Sequence, residues 1–421
     1  MYSEIKKCRI CGSTKLRTVV NLGEQQLTGV FPNPGEDVET APLELVKCDG
    51  ENSCGLVQLR HSCVPEQMYG MNYGYRSGLN NSMVEHLSAI TDYIKAKVRF
   101  NYGDVVVDIG SNDGTLLGTY EDIYNSHHIR RIGIDPTAAK FREYYNDSIE
   151  VVEDFFSANA YSSVNKNGGV VKKAKVITSI AMFYDLEAPV EFARQISECL
   201  DSDGIWVFEQ SYMPYMIRAL SFDTICQEHL EYYTMRQIDW IMEKAGLKII
   251  DVDFNNINGG SFRITAALKD SLYSVSSKVE QAIVAEDIAG YNSFDIFEPF
   301  IRGIESCRNS CMQFFDNCKR KGKLVLGYGA STKGNVLLQY FGLSTDQLPY
   351  IAEVNSDKFG KVTPGTAIPI ISEQEARNLH PDYFFVLPWH FRNNILEKER
   401  AYIEENGVKF VFPLPEFIIE E

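Results

Sequence analysis

Short apolar runs separated by polar turns recur along most of the chain, and they predict strands that alternate with helices. The clearest run, Val105–Ile109, is apolar except for Asp108, and a polar glycine loop and a second apolar stretch follow it. Such a run is typical of a parallel strand that helices cover on both faces. Similar runs begin near residues 131, 150, 174 and 204. Together they predict an α/β fold with a doubly wound sheet.

The loop after the first strand has the composition of a ligand site. Gly110 and Gly114 allow a tight turn and a close approach of the backbone to a ligand. The spacing is D-x-G-x-x-x-G, not the G-x-G-x-x-G of dinucleotide sites, and acids stand at Asp108 and Asp113. Carboxylates repel a pyrophosphate but attract a cofactor that carries an ammonium and a sulfonium group. We therefore predict S-adenosylmethionine as the cofactor.

The ends of the next strands carry residues that suit the remainder of this cofactor. Asp135 follows about 20 residues on, where a carboxylate can accept two ribose hydroxyls. Asp154 and Phe155 end the third strand and offer polar and aromatic contacts to an adenine. The alternative is a doubly wound sheet with incidental acids. The predicted cofactor-binding residues are Asp108, Gly110, Asn112, Gly114, Asp135, Asp154, Phe155 and Ser179.

Two cysteine pairs near the beginning of the chain predict a structural zinc site. Cys8 and Cys11 form a C-x-x-C-G knuckle, and Cys48 and Cys54 form a wider second pair. Four thiolates without an open position are typical of a closed, structural site. Cys63 is an alternative ligand, and free buried cysteines are the alternative interpretation. Ordinary packing explains Cys307, Cys311 and Cys318 better, because they lie in a helical segment.

Charge and composition limit the classes of partner. The chain of 421 residues has 57 acidic and 41 basic residues and a formal net charge of −16, which opposes binding to nucleic acid. No apolar run has the length of a membrane span, and no apolar segment of a signal peptide follows Met1. The expected location is the cytoplasm, and the oligomeric state is open.

Candidate chemistry lies after the fifth predicted strand. His229 is one of only seven histidines and stands beside Glu228 in a segment rich in aromatic residues. Imidazole is suited to moving protons at neutral pH, and a neighbouring carboxylate can orient it. From these residues alone, a structural histidine is equally consistent with the pattern.

The last third of the chain predicts a second Rossmann-like unit. Gly327 and Gly329 follow an apolar run, but Thr332 stands where the third glycine of an NAD fingerprint belongs. Lys333 at the start of the next helix suits a phosphate of the substrate instead. A fold without a ligand is the alternative. The predicted substrate-binding residues are Tyr73, Glu209, Arg263, Lys333 and Asn335, with a surface salt bridge as the alternative for Arg263.

These motifs give the chain a resemblance, over essentially its full length, to the C-methyltransferases that act on nucleotide-linked 4-keto-deoxyhexoses. The segments that carry it are the two cysteine pairs with residues 55–59, and residues 73–78, 108–114, 222–233, 327–335, 361–370 and 387–392. The resemblance implies a zinc-binding domain (1–70), a catalytic S-adenosylmethionine-binding domain of class I methyltransferase type (71–270) and a Rossmann-like C-terminal domain that helps to bind the nucleotide-sugar (271–421).

The resemblance also implies roles for single residues. His229 corresponds to the catalytic base, Glu228 to its neighbouring glutamate and Tyr75 to an active-site tyrosine. The family usually has Tyr-His-Glu-His where this chain has Cys226-Gln227-Glu228-His229, which leaves open which group handles the keto oxygen. The expected reaction is proton removal by His229, with Tyr75 or a neighbouring donor stabilising the enolate oxygen, and attack of the enolate carbon on the sulfonium methyl group.

Three other functions are alternatives to this reaction. The first is O- or N-methylation of a sugar or sugar conjugate in surface-polysaccharide assembly, which Cys226 and Gln227 motivate. The second is a zinc-ribbon protein that binds or modifies nucleic acid, which the net charge opposes. The third is an NAD oxidoreductase that uses the glycine loop at Gly327.

Overall fold

The structure is a computed structural model that describes residues 2–68, 75–164, 166–167 and 170–420. Tyr73, one of the predicted substrate-binding residues, lies outside the described residues. Among those residues, none of the helices is both long enough and apolar enough to cross a bilayer.

The first part of the chain forms a four-stranded antiparallel sheet. Its strands, in spatial order, are Leu16–Gln26, Thr40–Cys48, Val57–Leu59 and Glu231–Tyr232. The last of these strands comes from the middle of the chain, so the segment after His229 pairs with the N-terminal unit. Tyr2–Glu4 and His61–Cys63 form a separate antiparallel pair, and a short helix, Pro65–Met68, follows.

Seven strands form the central sheet. In spatial order they are Ile149–Val152, Arg130–Ile134, Val105–Ile109, Ala174–Ile180, Leu200–Ser211, Ser261–Leu268 and Leu247–Asn255. The first five are parallel, as the apolar runs predict, and Ser261–Leu268 is antiparallel to both of its neighbours. In chain order the sheet therefore runs 3-2-1-4-5-7-6, and the loops that follow its parallel strands meet at one edge.

Helices cover both faces of this sheet. The α-helices are Asn81–Lys97, Thr115–Gly118, Glu121–His127, Ala158–Val164, Pro189–Cys199, Met213–Arg218 and Met235–Lys244. Short 3-10 turns are Ser77–Leu79, Arg142–Tyr144, Phe183–Asp185, Phe222–Thr224 and Ile257–Gly259, and Lys166–Asn167 pairs with Val170–Val171. Leu87, Ile90 and Ile94 lie at helical spacing and pack on one face of the sheet, while Trp206 and Phe208 belong to the core on the other face.

The last part of the chain forms a six-stranded sheet. Its spatial order is Ile370–Ser372, Ile351–Glu353, Val325–Tyr328, Tyr383–Val386, Lys409–Phe412 and Ile418–Glu420. The first five strands are parallel in the order 3-2-1-4-5, as in Rossmann folds, and the sixth is antiparallel. Its helices are Ser277–Ile288, Phe297–Arg320, Thr332–Phe341, Glu373–Asn378 and Arg392–Asn406, with 3-10 turns at Ser356–Lys358 and Trp389–Phe391.

One apolar core joins the N-terminal sheet to the C-terminal unit through the segment that contains His229. Leu45 of the N-terminal sheet, Phe222 and Ile225 of this segment, and Phe300 of the helix Phe297–Arg320 belong to the same buried cluster. Cys307, Cys311 and Cys318 lie in this cluster too, so the packing interpretation of these three thiols is confirmed.

Candidate active site

The two cysteine pairs converge as the sequence predicts. The Sγ atoms of Cys8, Cys11, Cys48 and Cys54 all lie within 4.8 Å of one another, and Cys63 lies outside this group. Tetrahedral coordination with Zn–S bonds of about 2.3 Å requires S···S separations of about 3.8 Å. Cys8 and Cys54 are 3.4 Å apart and Cys11 and Cys48 are 3.5 Å apart. These four thiols therefore fit a zinc ion, and burial keeps solvent away from three of them.

The glycine loop has the backbone conformation that its sequence predicts. Gly110 and Gly114 adopt positive φ angles of 71° and 77°, which residues with a Cβ rarely adopt. A Cβ at Gly114 would lie 2.7 Å from the ring of Tyr145. Asp108 is buried just before the loop and accepts a hydrogen bond of 2.6 Å from the Thr178 hydroxyl. Burial raises the pKa of Asp108 to about 7.

Asp113 does not have the role that the sequence suggests. Its carboxylate accepts hydrogen bonds from the amide of Gly78 at 2.8 Å and from the hydroxyl of Thr115 at 2.6 Å. Asn112 lines the cavity and makes similar contacts, because its Oδ1 accepts from the amide of Ser77 and its Nδ2 donates to the carbonyl of Tyr75. The two side chains therefore fasten the segment 75–78 to the glycine loop and so hold Tyr75 in place.

The other predicted cofactor residues fall into two groups. Asp135 and Phe155 line the same cavity as Asp108, and Asp135 is buried and accepts a hydrogen bond of 2.8 Å from the amide of Asn112. Asp154 is exposed and outside the cavity lining, whereas Phe155, which is also partly exposed to solvent, contributes to that lining. Ser179 is fully buried and accepts a hydrogen bond from the Trp206 indole, so it is a packing residue and its assignment to the cofactor is corrected.

A cavity of about 510 Å³ lies at the carboxyl edge of the central sheet. Its lining joins the predicted cofactor loop to candidate groups from other parts of the chain. These groups include Tyr75, His86, Tyr184, Glu209, Gln210, His229, Asn258 and Lys333. One continuous space thus reaches both the cofactor residues and the predicted base.

His229 meets the requirements of a neutral base. Its Nδ1 lies 2.9 Å from the carbonyl oxygen of Thr224, and because a carbonyl can only accept, Nδ1 carries the proton. The lone pair is therefore on Nε2. Burial, followed by the positive charge of Lys333, lowers the pKa of His229 to about 4. The ring of Tyr184 packs against the imidazole at a centroid distance of 4.3 Å and limits its rotation.

Glu228 is not the partner of His229. The Nδ1 of His229 bonds to a backbone carbonyl, and Glu228 faces Gly29 of the N-terminal unit, where an added Cβ would lie 1.9 Å from its Oε1. Glu228 is absent from the cavity lining. The expectation that it orients the base is corrected, because the turn that begins at Phe222 carries the two side chains in different directions.

The departures from the family motif also lie away from the cavity. Cys226 is fully buried in the apolar core. Gln227 accepts a hydrogen bond of 2.9 Å from the Thr28 hydroxyl and donates one of 3.2 Å to the carbonyl of Gln25. Both residues therefore connect the N-terminal unit to the segment of His229, and neither supports a change of substrate.

The predicted substrate residues are only partly brought together. Lys333 lines the cavity and donates a hydrogen bond of 2.9 Å to the carbonyl of Asn258. Asn335 faces the opposite way and donates to the carbonyl of Thr28, so it joins two units. Arg263 pairs with Asp253 at 3.1 Å and stacks on Tyr93, in agreement with the salt bridge that the sequence left as an alternative. The assignments of Asn335 and Arg263 to the substrate are corrected.

Two candidate residues escaped the sequence analysis. His86, on the helix Asn81–Lys97, lines the cavity with its Nε2 only 2.5 Å from Oε1 of Glu209. The other oxygen of Glu209 accepts from Asn255 at 2.8 Å. Gln210 lines the cavity beside them and is 1% exposed. The scarcity of histidines was a signal for His86, but nothing in the pattern distinguishes Gln210 from other glutamines.

The C-terminal glycine loop does not have an open dinucleotide site. Added Cβ atoms at Gly329 and Gly334 would lie 2.7 Å from Pro388 and 2.6 Å from Leu387, so these residues cover the loop. The carboxylate of Glu353, placed where an NAD site binds ribose hydroxyls, accepts hydrogen bonds from the backbone amides of residues 330, 354 and 355. The NAD interpretation therefore has no structural support.

Comparisons with known proteins agree with this geometry. A zinc binding domain family matches residues 8–69, a methyltransferase domain family matches residues 82–252, and the family described as C-methyltransferase C-terminal domain matches residues 256–415. The C-methyltransferase NovU of Streptomyces niveus is 29% identical over 416 residues, which are 98% of this chain and 96% of NovU.

The matched solved structures are less similar in sequence than NovU. An S-adenosylmethionine-dependent methyltransferase from Clostridium acetobutylicum has 12% identity and a TM-score of 0.31 over 43% of this chain and 89% of its own. The CcbJ methyltransferase from Streptomyces caelestis has 12% identity and a TM-score of 0.32 over the same shares.

A sheet of order 3-2-1-4-5-7-6, an acid before a glycine loop and the matched methyltransferase domain make this protein a class I methyltransferase that uses S-adenosylmethionine. Its four-cysteine cluster binds Zn²⁺. Within that class, the chain is similar to C-methyltransferases: a zinc-binding family matches before the methyltransferase domain, and the C-methyltransferase C-terminal domain matches after it.

Proposed function

We propose that this C-methyltransferase acts on a nucleotide-linked 4-keto-deoxysugar and methylates the carbon next to the ketone. The observation that carries the proposal is the protonation state of His229. The imidazole is neutral, and its Nδ1 donates a hydrogen bond to the carbonyl of Thr224. A buried imidazole of this kind removes a proton from a C–H group that a neighbouring ketone makes acidic. The resemblance to sugar C-methyltransferases supports the same class of substrate.

The proposed reaction is balanced in protons and electrons. Nε2 of His229 takes the proton from the carbon, and the C–H electron pair moves toward the keto oxygen to give an enolate. S-adenosylmethionine supplies an electrophilic methyl group on sulfur. As the enolate carbon bonds to this methyl group, the ketone forms again and the C–S electron pair returns to sulfur. The imidazolium then releases its proton to solvent.

Lys333 gives the proposal an anchor for the anionic part of the substrate. Its ammonium group lines the cavity near the start of the helix Thr332–Phe341, where a phosphate is also favoured by the helix N-terminus. The same positive charge lowers the pKa of His229. A bound phosphate neutralises it, so the base becomes stronger when the substrate arrives. Tyr75, fixed by Asn112, is proposed as a further contact to the sugar.

Solvent exchange tests the base directly. With S-adenosylhomocysteine in place of the methyl donor, the enzyme in D₂O should exchange the proton next to the ketone, which mass spectrometry detects. His229→Ala should abolish both exchange and methyl transfer and should leave binding of S-adenosylhomocysteine nearly unchanged. His127→Ala, on a surface helix away from the cavity, is the matched control.

Two results would contradict the proposal. Exchange and turnover in the His229→Ala variant at the rate of the native enzyme would show that another group is the base. A product whose fragmentation places the new methyl group on oxygen or nitrogen would identify a different reaction.

A further inference from the structure

Gln210 is a buried polar side chain without a protein partner. It is 1% exposed, and neither its Oε1 nor its Nε2 has a hydrogen-bond partner among the residues that the structure describes. Buried side-chain amides are nearly always hydrogen-bonded, so an exception requires an explanation. Because Gln210 lines the active-site cavity, the explanation that fits is a polar ligand in that cavity.

The position of Gln210 in its strand relates it to the base. Side chains alternate along Leu200–Ser211, so Gln210 shares a face with Phe208 and not with Glu209. Phe208 packs on the ring of Phe183 at 5.1 Å. The next residue, Tyr184, packs on His229. Gln210 therefore belongs to the side of the sheet that carries the proposed base.

The order of the strands separates Gln210 from the predicted cofactor residues. Asp108 lies in the strand Val105–Ile109, Asp135 directly follows Arg130–Ile134, and Phe155 comes soon after Ile149–Val152. These three strands lie on one side of Ala174–Ile180. Gln210 is the second-last residue of Leu200–Ser211, the strand on the other side of Ala174–Ile180. The cavity spans both halves, and the half that contains Gln210 and His229 is the one left for the methyl acceptor.

We propose that Gln210 is a catalytic residue that binds an α-hydroxyketone in the substrate. Nε2 donates a hydrogen bond to the keto oxygen, and Oε1 accepts one from the hydroxyl on the neighbouring carbon. A carboxamide carries one donor group and one acceptor side by side, which is the complement of these two oxygens. This inference rests on the proposed function and adds the hydroxyl next to the ketone to the description of the substrate.

The contact from Nε2 contributes most in the transition state. When His229 takes the proton, negative charge moves onto the keto oxygen, and a fixed N–H group stabilises that charge more than it stabilises the neutral ketone. Gln210 stays neutral and exchanges no proton.

Two substitutions separate the donor from the acceptor. Gln210→Met removes both groups and keeps a similar volume, and Gln210→Glu keeps an acceptor but removes the donor. We expect Gln210→Met to lower kcat and the rate of solvent exchange by about 100-fold to 1,000-fold, the usual effect of losing one oxyanion donor. Gln210→Glu should lose at least as much, and binding of S-adenosylhomocysteine should stay within about threefold for both variants.

A pair of substrates tests the second hydrogen bond. The native enzyme should favour a keto-sugar with a hydroxyl next to the ketone over its deoxy analogue by about tenfold in kcat/KM, as expected for one hydrogen bond. Gln210→Met should lose this preference. Exchange and turnover within about threefold of the native rate in both variants would overturn the proposal, and so would an equal loss of cofactor binding.

The native protein provides a test that does not depend on the folding of a variant. In its complex with S-adenosylhomocysteine and the hydroxyketone, Nε2 of Gln210 should lie within about 3.2 Å of the keto oxygen. A keto oxygen that bonds only to other groups would overturn the assignment. If the native enzyme transforms no keto-sugar, the proposed function fails and this inference fails with it. If it is active and insensitive to Gln210, only this inference fails.

Discussion

Replacing Asp108 by asparagine is a quantitative test of the electrostatics at the cofactor loop. Burial raises the pKa of Asp108 from its usual 3.8 to about 7, and the nearby acids Asp135 and Asp113 add to this effect. The Thr178 hydroxyl acts in the opposite direction, because it donates to the ionised carboxylate. An asparagine can still accept this hydrogen bond through its own Oδ1, and it carries no charge at any pH.

The direction and size of the effect of Asp108 on stability follow from the difference between its pKa in the folded and in the unfolded protein. The folded protein binds the Asp108 proton more tightly than the unfolded chain, so this group makes the protein less stable as pH rises from about 4 to 7. The difference between 3.8 and 7, at about 1.4 kcal/mol for each pKa unit, amounts to about 4 kcal/mol above pH 7 as an upper value. Below pH 4 the contribution disappears.

Thermal melting of the cofactor-free protein between pH 4 and 9 measures this effect. The native protein and the Asp108→Asn variant should melt at similar temperatures near pH 4, and the variant should be the more stable protein above pH 7. Binding of S-adenosylmethionine should strengthen with pH in the native protein only, because the positive cofactor favours the ionised acid. Thr178→Val, which removes the opposing hydrogen bond, should steepen the pH dependence of stability. Parallel melting profiles for native and Asp108→Asn proteins would refute this reasoning.

Three further predictions concern the remaining parts of the site. Cys11→Ser should lower the zinc content measured by mass spectrometry and lower the melting temperature, and a strong chelator should do the same to the native protein; full zinc retention would contradict the four-thiolate site. Lys333→Met should raise the pKa of His229, so the acid limb of the kcat/KM profile should move to higher pH, and an unmoved limb would exclude their coupling. Gly29→Ala should cost about 1–3 kcal/mol because its Cβ meets the Glu228 carboxylate, and Glu228→Ala should restore most of the melting temperature if that clash is the cause.

The sequence predicts the features that depend on local chemistry. The apolar runs at 105–109 and 174–179 become buried parallel strands. In a sheet covered on both faces, their backbone groups are hydrogen-bonded to neighbouring strands and their apolar side chains are buried. The turn at Gly110 and Gly114 is also predictable from the local sequence, because each residue adopts a positive φ that glycine allows. The C-x-x-C-G knuckle belongs to this group as well, because two thiols at that spacing reach one ion.

The features that sequence analysis missed depend on contacts between distant segments. His86 and Glu209 are 123 positions apart, and only the packing of a helix on the sheet brings them together. Arg263 and Asn335 stand next to suitable loops in the sequence, but each side chain faces a partner in another element. Side-chain direction at the end of an element follows from such packing, which periodicity does not encode.

The pairing of Glu231–Tyr232 with Val57–Leu59 has a consequence for how the methyl-transferring machinery can be dissected. The polypeptide that presents His229 ends as an edge strand of the zinc-stabilised sheet, and Gln227 bonds to the same N-terminal unit. A variant that lacks residues 1–70 would therefore keep every strand of the central sheet. It would lose the strand and hydrogen-bond contacts that hold the segment of His229. The three matched families occupy separate stretches of the sequence, but the catalytic segment depends on contacts between them.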